Sequence, residues 1–412
     1  MTIHPRRSCF VPFVLVMGVY HFALYLDLSY AGQPRQHLRQ SHMTNHSNSA
    51  QHTTGNLSQN GINTTQSPSP EKESPESDPE LVWLMSFPNS GTSYTMANTR
   101  KMSNRTVASN YMHEVPDSYP TVHVRLPNQK GSGDDAQTPV LTHPHLQLPD
   151  KYLLTKTHCE GRAEDTFSFL KGCAKIVRTR VEQKPAEGDE GSNQTADNVG
   201  NGTIAEKTVG VMRNTEEYYY DPRPIHKVVH LIRSPYDNIV ARKHLAARQA
   251  TKLGRFTAEQ EVRYTAYTPQ AFQEYCSEIF AVSPTNGRLL DVAEKELDAQ
   301  EVENFRALTQ RIPCVGDVLQ WINWHNKAVD FILGANLRSF SLHYEDYDRD
   351  YNSTVTRLFD FLELEVVLEA IPFEAGKTYT DHYTAQQLDD IRVLVKRLAS
   401  TEMWQLVKRY FE

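Results

Sequence analysis

The chain has 412 residues, with 43 Lys and Arg residues against 50 Asp and Glu residues and a formal net charge of −7. Such a length accommodates one large domain with appended segments. The acidic balance argues against a general nucleic-acid-binding surface, so no nucleic-acid partner is expected and any anion site must be local.

The first elements predicted from the N-terminus are a cytoplasmic tail and a membrane anchor. Residues 10–28 begin with the apolar run FVPFVLVMGVYHFALYL, and Arg6 and Arg7 lie just before it. The run is long enough for a short transmembrane helix. Its basic flank predicts that residues 1–9 stay in the cytosol and that the rest of a single-pass type II protein lies in the lumen. A cleaved signal peptide, with small residues such as Ala31 near the cleavage point, is the alternative.

Residues 29–78 are predicted to be a disordered stem, because Gln, Asn, Ser, Thr and Pro dominate and offer too little apolar surface to fold. Glycosylation sequons favour a luminal location. They occur at Asn45, Asn56, Asn63, Asn104, Asn193, Asn201 and Asn352. Residues 79–412 are predicted to form the folded domain, with an acidic, Gly- and Asn-rich disordered insertion at about 181–205.

A strand, a tight loop and a helix are predicted over Leu81–Lys101, LVWLMSFPNSGTSYTMANTRK. Gly91 permits close approach of the backbone to a ligand, and the amides of residues 90–93, with the N-terminus of the helix, suit one oxyanion. The hydroxyls of Ser90, Thr92 and Ser93 add donors. The loop does not fit the Walker A pattern, so phosphate is expected here but ATP is not. A turn that only caps its helix is the alternative.

Two further strands are predicted to end beside this loop. Lys151–Thr155 is followed by Lys156 and His158, and the β-branched run Lys227–Ile232 is followed by Arg233 and a helix. Ligands of open α/β sheets lie at the carboxyl ends of strands, so these side chains are expected to meet the loop.

The C-terminal half continues the alternation of strands and helices. Helices are predicted at Val315–Leu333 and Asn352–Leu362, a strand at Arg338–Leu342, and a capping box at Thr384 and Gln387. This order predicts a single α/β domain whose central parallel sheet is flanked by helices.

The cysteines suit an oxidising compartment. Cys9 adjoins the predicted anchor, which leaves Cys159, Cys173, Cys276 and Cys314 as an even set. Three pairings are possible, of which we predict the two local ones, Cys159 with Cys173 and Cys276 with Cys314. No CxxC pair occurs, so a zinc site is not expected.

Four motifs, in this order, resemble those of the sulfotransferases that use 3'-phosphoadenylyl sulfate (PAPS). SFPNSGTSY resembles the 5'-phosphosulfate loop, LLTKTHCEG the K-T-H element, HLIRSPYDNIVARKHL the 3'-phosphate element, and SLHYEDYDRDYNSTVTRLFDFLEL the Y-E-D segment with its helix. The resemblance covers roughly Leu81 to the C-terminus. Together with the predicted anchor, it implies a P-loop-like sulfotransferase fold and a Golgi membrane enzyme that sulfates a hydroxyl acceptor, expected to be a glycan, in the lumen.

The resemblance also implies roles for individual residues. His158 would be the general base for the acceptor hydroxyl, and Lys156 would neutralise charge on the transferring group. The residues that bind the co-substrate would be Asn89, Ser90, Gly91, Thr92, Ser93, Arg233 and Tyr344. No metal is implied.

Two departures from the family pattern leave alternatives open. Asn89 stands where the family usually has Lys or Arg, so Lys156 would have to supply the missing charge. Ala241 stands where a Ser is frequent, and Arg242 or Lys243 would then contact the phosphate. A non-catalytic nucleotide- or glycan-binding protein of the same fold is therefore an alternative, as is a protein-tyrosine or small-molecule sulfotransferase. Three residues also have alternatives without a role in the site. Arg233 would form an ion pair with Asp237, His158 would lie at the surface, and Tyr344 would only complete a strand.

Overall fold

A computed structural model describes residues 78–115, 124, 138–160, 165–183, 211–279, 290–291, 293–295 and 297–412. The predicted cytoplasmic tail, membrane anchor and stem lie outside these residues, apart from the last residue of the stem. Within the described part of the chain, no helix has both the length and the apolar character that a membrane crossing needs.

Six strands form the central sheet, in the order β3-β2-β4-β1-β7-β8. Their neighbours pair in parallel, except that β3 is antiparallel to β2. The prediction of a parallel sheet is thus correct for the centre and wrong for one edge, where β3 is antiparallel. The sheet strands are β1 Glu80–Ser86, β2 Ala108–Ser109, β3 Val140–Leu141, β4 Tyr152–Thr157, β7 Lys227–Ile232 and β8 Arg338–His343.

A separate antiparallel hairpin flanks the predicted insertion. Strand β5, Lys175–Gln183, pairs with β6, Val211–Tyr219. Residues 181–183 were predicted to be disordered and instead end β5, because backbone pairing with β6 orders a stretch whose composition alone is unfavourable. The rest of the predicted insertion lies outside the described residues.

Helices cover both faces of the sheet. They are α1 Thr92–Ser103, α2 Thr166–Cys173, α3 Pro235–Lys252, α4 Ala258–Thr265, α5 Pro269–Glu278, α6 Ala299–Arg311, α7 Val315–Gly334, α8 Asp346–Arg349, α9 Tyr351–Leu362, α10 Ala385–Leu398 and α11 Thr401–Val407. The predicted capping box at α10 is confirmed, since Thr384 and Gln387 each accept the other's backbone N–H.

The two faces of the central strands belong to two separate cores. In β1, Trp83 and Met85 pack in a core with residues of α3 and α7, whereas Val82 and Leu84 pack with residues of α1 and α9. This alternation follows from the two-residue period of a strand. Strands β1, β4 and β7 are buried almost throughout, which keeps the ends of three adjacent strands in fixed relative positions.

Both predicted disulfides are present, Cys159–Cys173 and Cys276–Cys314. The first joins the segment after β4 to the end of α2. The second joins α5 to the residue that precedes α7. All four cysteines belong to the core that also contains residues of α3.

Candidate functional site

A cleft of about 280 Å³ opens at the carboxyl ends of β1, β4 and β7. It is lined by Asn89, Gly91, Thr92, Ser93, Tyr94, Lys156, His158, Arg233, Ala241, Leu245, Arg248 and Tyr344. All the predicted site residues are therefore brought together in one cleft, with the exception of Ser90.

Ser90 is fully buried, and its hydrogen bonds hold the conformation of the loop. Its amide donates to the carbonyl of Phe87 at 3.2 Å, so this N–H does not serve an anion as predicted. Its hydroxyl accepts a hydrogen bond of 3.1 Å from Asn238 on α3. Asn238 also donates to Pro88 O at 3.1 Å, and so one amide side chain fixes the loop at two points.

The backbone of the loop has a conformation that accounts for Gly91. Asn89 has φ 67° and Gly91 has φ 95°, both in the left-handed region. A Cβ atom on Gly91 would lie 2.0 Å from Cδ2 of Tyr344, so the ring lies directly against this glycine. Helix α1 begins at Thr92 without a side-chain cap. Its first amides and its positive dipole end are therefore suited to an anion in the cleft.

Arg233 connects the end of β7 to this loop. Its Nη1 donates to Asn89 O at 3.0 Å, and its guanidinium lies 5.0 Å from the centre of the Tyr344 ring. Its buried Nε has no hydrogen-bond partner among the described residues. Arg233 does not form the alternative ion pair with Asp237. The carboxylate of Asp237 instead accepts a hydrogen bond of 2.7 Å from the backbone N–H of Tyr379.

His158 is a buried residue, and the alternative of a surface histidine is wrong. Its Nδ1 lies 3.0 Å from Ser86 O and 3.1 Å from Ser86 Oγ, and that hydroxyl lies 2.6 Å from the hydroxyl of Thr92. The backbone is also held, because Trp324 donates to His158 O at 2.7 Å. Burial, assisted by the charge of Lys156, lowers the pKa of His158 to about 3. The imidazole is therefore neutral at pH 7, and a proton held on Nδ1 by Ser86 O makes Nε2 the basic nitrogen.

Lys156 forms a buried ion pair with Glu114, which the sequence did not single out. Glu114 lies in a short 3₁₀ turn, Met112–Glu114, and also accepts the hydroxyl of Ser109 at 2.7 Å. Burial raises the pKa of Glu114, but the ammonium of Lys156 and the hydrogen bonds outweigh it and leave the pKa below its usual value. The charge of Lys156 is thus largely balanced in this structure.

Helix α3 contributes differently from the prediction. Arg242 pairs with Asp317 at 3.0 Å, and the buried Lys243 donates to Ala266 O at 3.1 Å. Neither lines the cleft. The cation of α3 that does so is Arg248, which shares the face of Ala241 and Leu245. From the sequence, the spacing i, i+4 and i+7 indicates that these three residues share one face of the helix. It does not indicate that this face lines the cleft.

The arrangement combines an anion-binding helix terminus, two cleft-lining guanidinium groups and a neutral histidine beside a paired lysine. In the described residues, no group of three or more His, Cys, Asp or Glu side chains could hold a metal ion. Comparison of the chain with protein-family models, with curated proteins and with solved structures gave no match.

Proposed function

We propose that this protein is a PAPS-dependent sulfotransferase of the P-loop-like sulfotransferase fold. It would be held in the Golgi membrane by the N-terminal anchor and would transfer a sulfuryl group to a hydroxyl, on a glycan, in the lumen. The observation that carries this proposal is the meeting of the loop around Gly91, Arg233 and His158 in one cleft. Without that meeting, the sequence motifs would not share a ligand.

The residues present fit a nucleotide with phosphate groups at two positions. The amides that open α1 at Thr92, where no side chain caps the helix, would bind the 5'-phosphosulfate. Arg233 would bind the 3'-phosphate, since its buried Nε has no partner among the described residues. Tyr344, whose ring covers both Gly91 and Arg233, would lie beside the base.

PAPS would supply the activated sulfuryl group for the reaction. His158 would accept the proton of the acceptor hydroxyl on Nε2, while its Nδ1 stays bound to Ser86. The hydroxyl of Ser86 would link the base to the anion-binding loop, because it contacts both His158 and Thr92. Lys156 would stabilise negative charge as the sulfur–oxygen bond to the 5'-phosphate breaks and the bond to the acceptor forms.

Incubation of the purified protein with ³⁵S-labelled PAPS and a panel of glycans, tyrosine peptides and phenols tests the proposal. We expect transfer to a glycan, and we expect His158→Gln to lower the rate of sulfuryl transfer at least 100-fold. His226→Gln, at an exposed histidine that does not line the cleft, is the matched control. Absence of both nucleotide binding and transfer to any acceptor would defeat the proposal.

A second candidate is a non-catalytic protein that binds the same nucleotide. It is favoured by Asn89 in the loop and by the pairing of Lys156 with Glu114, which together leave no uncompensated lysine near the loop among the described residues. Binding of adenosine 3',5'-bisphosphate without turnover, and unchanged in His158→Gln, would support this second function.

A further inference from the structure

Arg248 lies at the opposite end of the cleft wall from Arg233. Both line the cleft, but 13 residues separate Arg248 from Pro235 at the start of α3. At 1.5 Å per residue, this is about 20 Å along the helix axis. Ala241 and Leu245 lie between them on the same face and form an apolar wall. Arg233 and Arg248 therefore reach the cleft from different points along the chain, one just before α3 and one near its end, with two apolar side chains on the wall between them.

The charge of Arg248 is not balanced by a carboxylate in the described part of the chain. Its Nε donates to the carbonyl of His244 at 3.3 Å, which fixes the side chain but leaves the positive charge uncompensated. Arg242 and Lys156, by contrast, are paired with Asp317 and Glu114. Arg248 is therefore available to bind an anionic group that enters the cleft.

An exposed aromatic ring stacks on the histidine whose carbonyl Arg248 contacts. Tyr267 is 61% exposed and stacks on His244, with 4.1 Å between ring centres and 23° between ring planes. His244 itself is only 4% exposed, and neither of its ring nitrogens has a hydrogen-bond partner among the described residues. Arg248 and Tyr267 are thus both positioned by His244, one through its carbonyl and the other through its ring.

We propose that Arg248 and Tyr267 form an acceptor subsite for an acidic sugar. The guanidinium would bind the carboxylate or sulfate of that sugar, and the exposed tyrosine ring would pack against the apolar C–H face of a pyranose. This inference rests on the proposed sulfotransferase function, and it narrows the acceptor from a glycan to an acidic glycan. The nucleotide already has the α1 terminus and Arg233 for its phosphates, whereas none of its proposed contacts uses Arg248.

The test compares acidic glycans with neutral counterparts of the same backbone. Chondroitin, heparosan and their carboxyl-reduced forms are offered to the full-length protein with labelled PAPS, and binding of adenosine 3',5'-bisphosphate is measured by calorimetry. We expect wild-type kcat/KM to be at least tenfold higher for an acidic glycan than for its carboxyl-reduced form. Arg248→Ala should abolish this preference and lower kcat/KM for the acidic glycan 10- to 100-fold, with nucleotide affinity within twofold of wild type.

Two further variants complete the design. Tyr267→Ala should raise KM for the acidic glycan with little change in kcat, and Arg223→Ala, at an arginine whose side chain is 88% exposed, should behave as wild type. Equal use of the acidic and neutral forms by a protein that binds nucleotide would overturn this inference alone. Weaker nucleotide binding in Arg248→Ala would also overturn it, by assigning the arginine to the nucleotide. Failure of the wild-type protein to bind nucleotide would overturn the proposed function and this inference together.

Discussion

Substitution of Gly91 by alanine tests the link between the loop and the ring of Tyr344. The added Cβ would meet two ring carbons, at 2.0 and 2.1 Å, in a backbone conformation with φ 95°. Ordinary van der Waals contact begins more than 1 Å farther away, so the ring or the loop has to move. Because Tyr344 also covers the guanidinium of Arg233, such a movement disturbs two predicted nucleotide contacts at once.

The size of the effect follows from two separate costs. A left-handed conformation costs a non-glycine residue about 1–2 kcal/mol, and overpacking against the half-buried ring of Tyr344 adds about 1–3 kcal/mol. We therefore expect Gly91→Ala to lower the free energy of unfolding by about 3 kcal/mol. Gly254 is the matched control, since its φ is 60° and nothing lies within 4 Å of a Cβ there. Gly254→Ala should cost only the conformational term of about 1–2 kcal/mol.

Urea denaturation followed by circular dichroism measures these values, and a double-mutant cycle isolates the contact. In a Tyr344→Ala background the ring is absent, so Gly91→Ala should cost only the conformational term of about 1–2 kcal/mol. The reasoning would be refuted if Gly91→Ala and Gly254→Ala had equal effects, or if removal of the Tyr344 ring did not reduce the cost of the alanine.

Three further predictions concern charge and covalent linkage. Glu114→Gln leaves a buried lysine unpaired and should lower the free energy of unfolding by about 3 kcal/mol at pH 7. Because the pKa of Glu114 is lower in the folded protein, the difference in stability between variant and wild type should shrink as pH falls below about 4.5, which denaturation curves across that range measure. His230 and His325 are buried, with Nε2 of the first 2.8 Å from Nδ1 of the second, and both have lowered pKa values. Protons therefore bind more readily to the unfolded chain, and stability should fall on acidification below about pH 6.5. From the pKa of about 3 for His230, its share is about 2 kcal/mol between pH 8 and pH 5, and His230→Gln should remove it; an unchanged pH dependence would contradict this assignment. Replacement of Cys276 and its partner by serine opens a loop of 38 residues and should cost about 4 kcal/mol in thermal or urea unfolding, whereas stability equal to wild type would argue against the bond.

The parts of the fold that the sequence predicted well are those determined by local pattern. The run Lys227–Ile232 forms a strand with the predicted bounds, and α3 follows it with Pro235 in its first position, because a fully buried strand has few polar residues and proline suits the start of a helix. The edge strand β3 has only two residues and was missed. Its pairing depends on β2, which no local pattern reveals.

The site was predicted less completely than the strands, because several of its interactions join residues far apart in sequence. Asn238 supports the loop across 148 residues, and Glu114 pairs with a lysine 42 residues later. Nothing in the spacing of these residues distinguishes them from other polar residues on a helix or in a turn. Arg242 and Lys243 were predicted to contact the phosphate for the same reason, since their actual partners, Asp317 and the carbonyl of Ala266, also lie far away in sequence.

Position 89 combines a conformational requirement with an electrostatic one. With φ 67°, this residue lies in the left-handed region, where asparagine is tolerated better than lysine or other non-glycine residues. Its carbonyl also accepts Arg233 Nη1 at 3.0 Å, which holds a guanidinium against the loop from the end of β7. A cation is therefore present at the loop, although it comes from another strand instead of the loop itself. Backbone conformation favours asparagine at this position, and its carbonyl places the guanidinium of Arg233 against the loop.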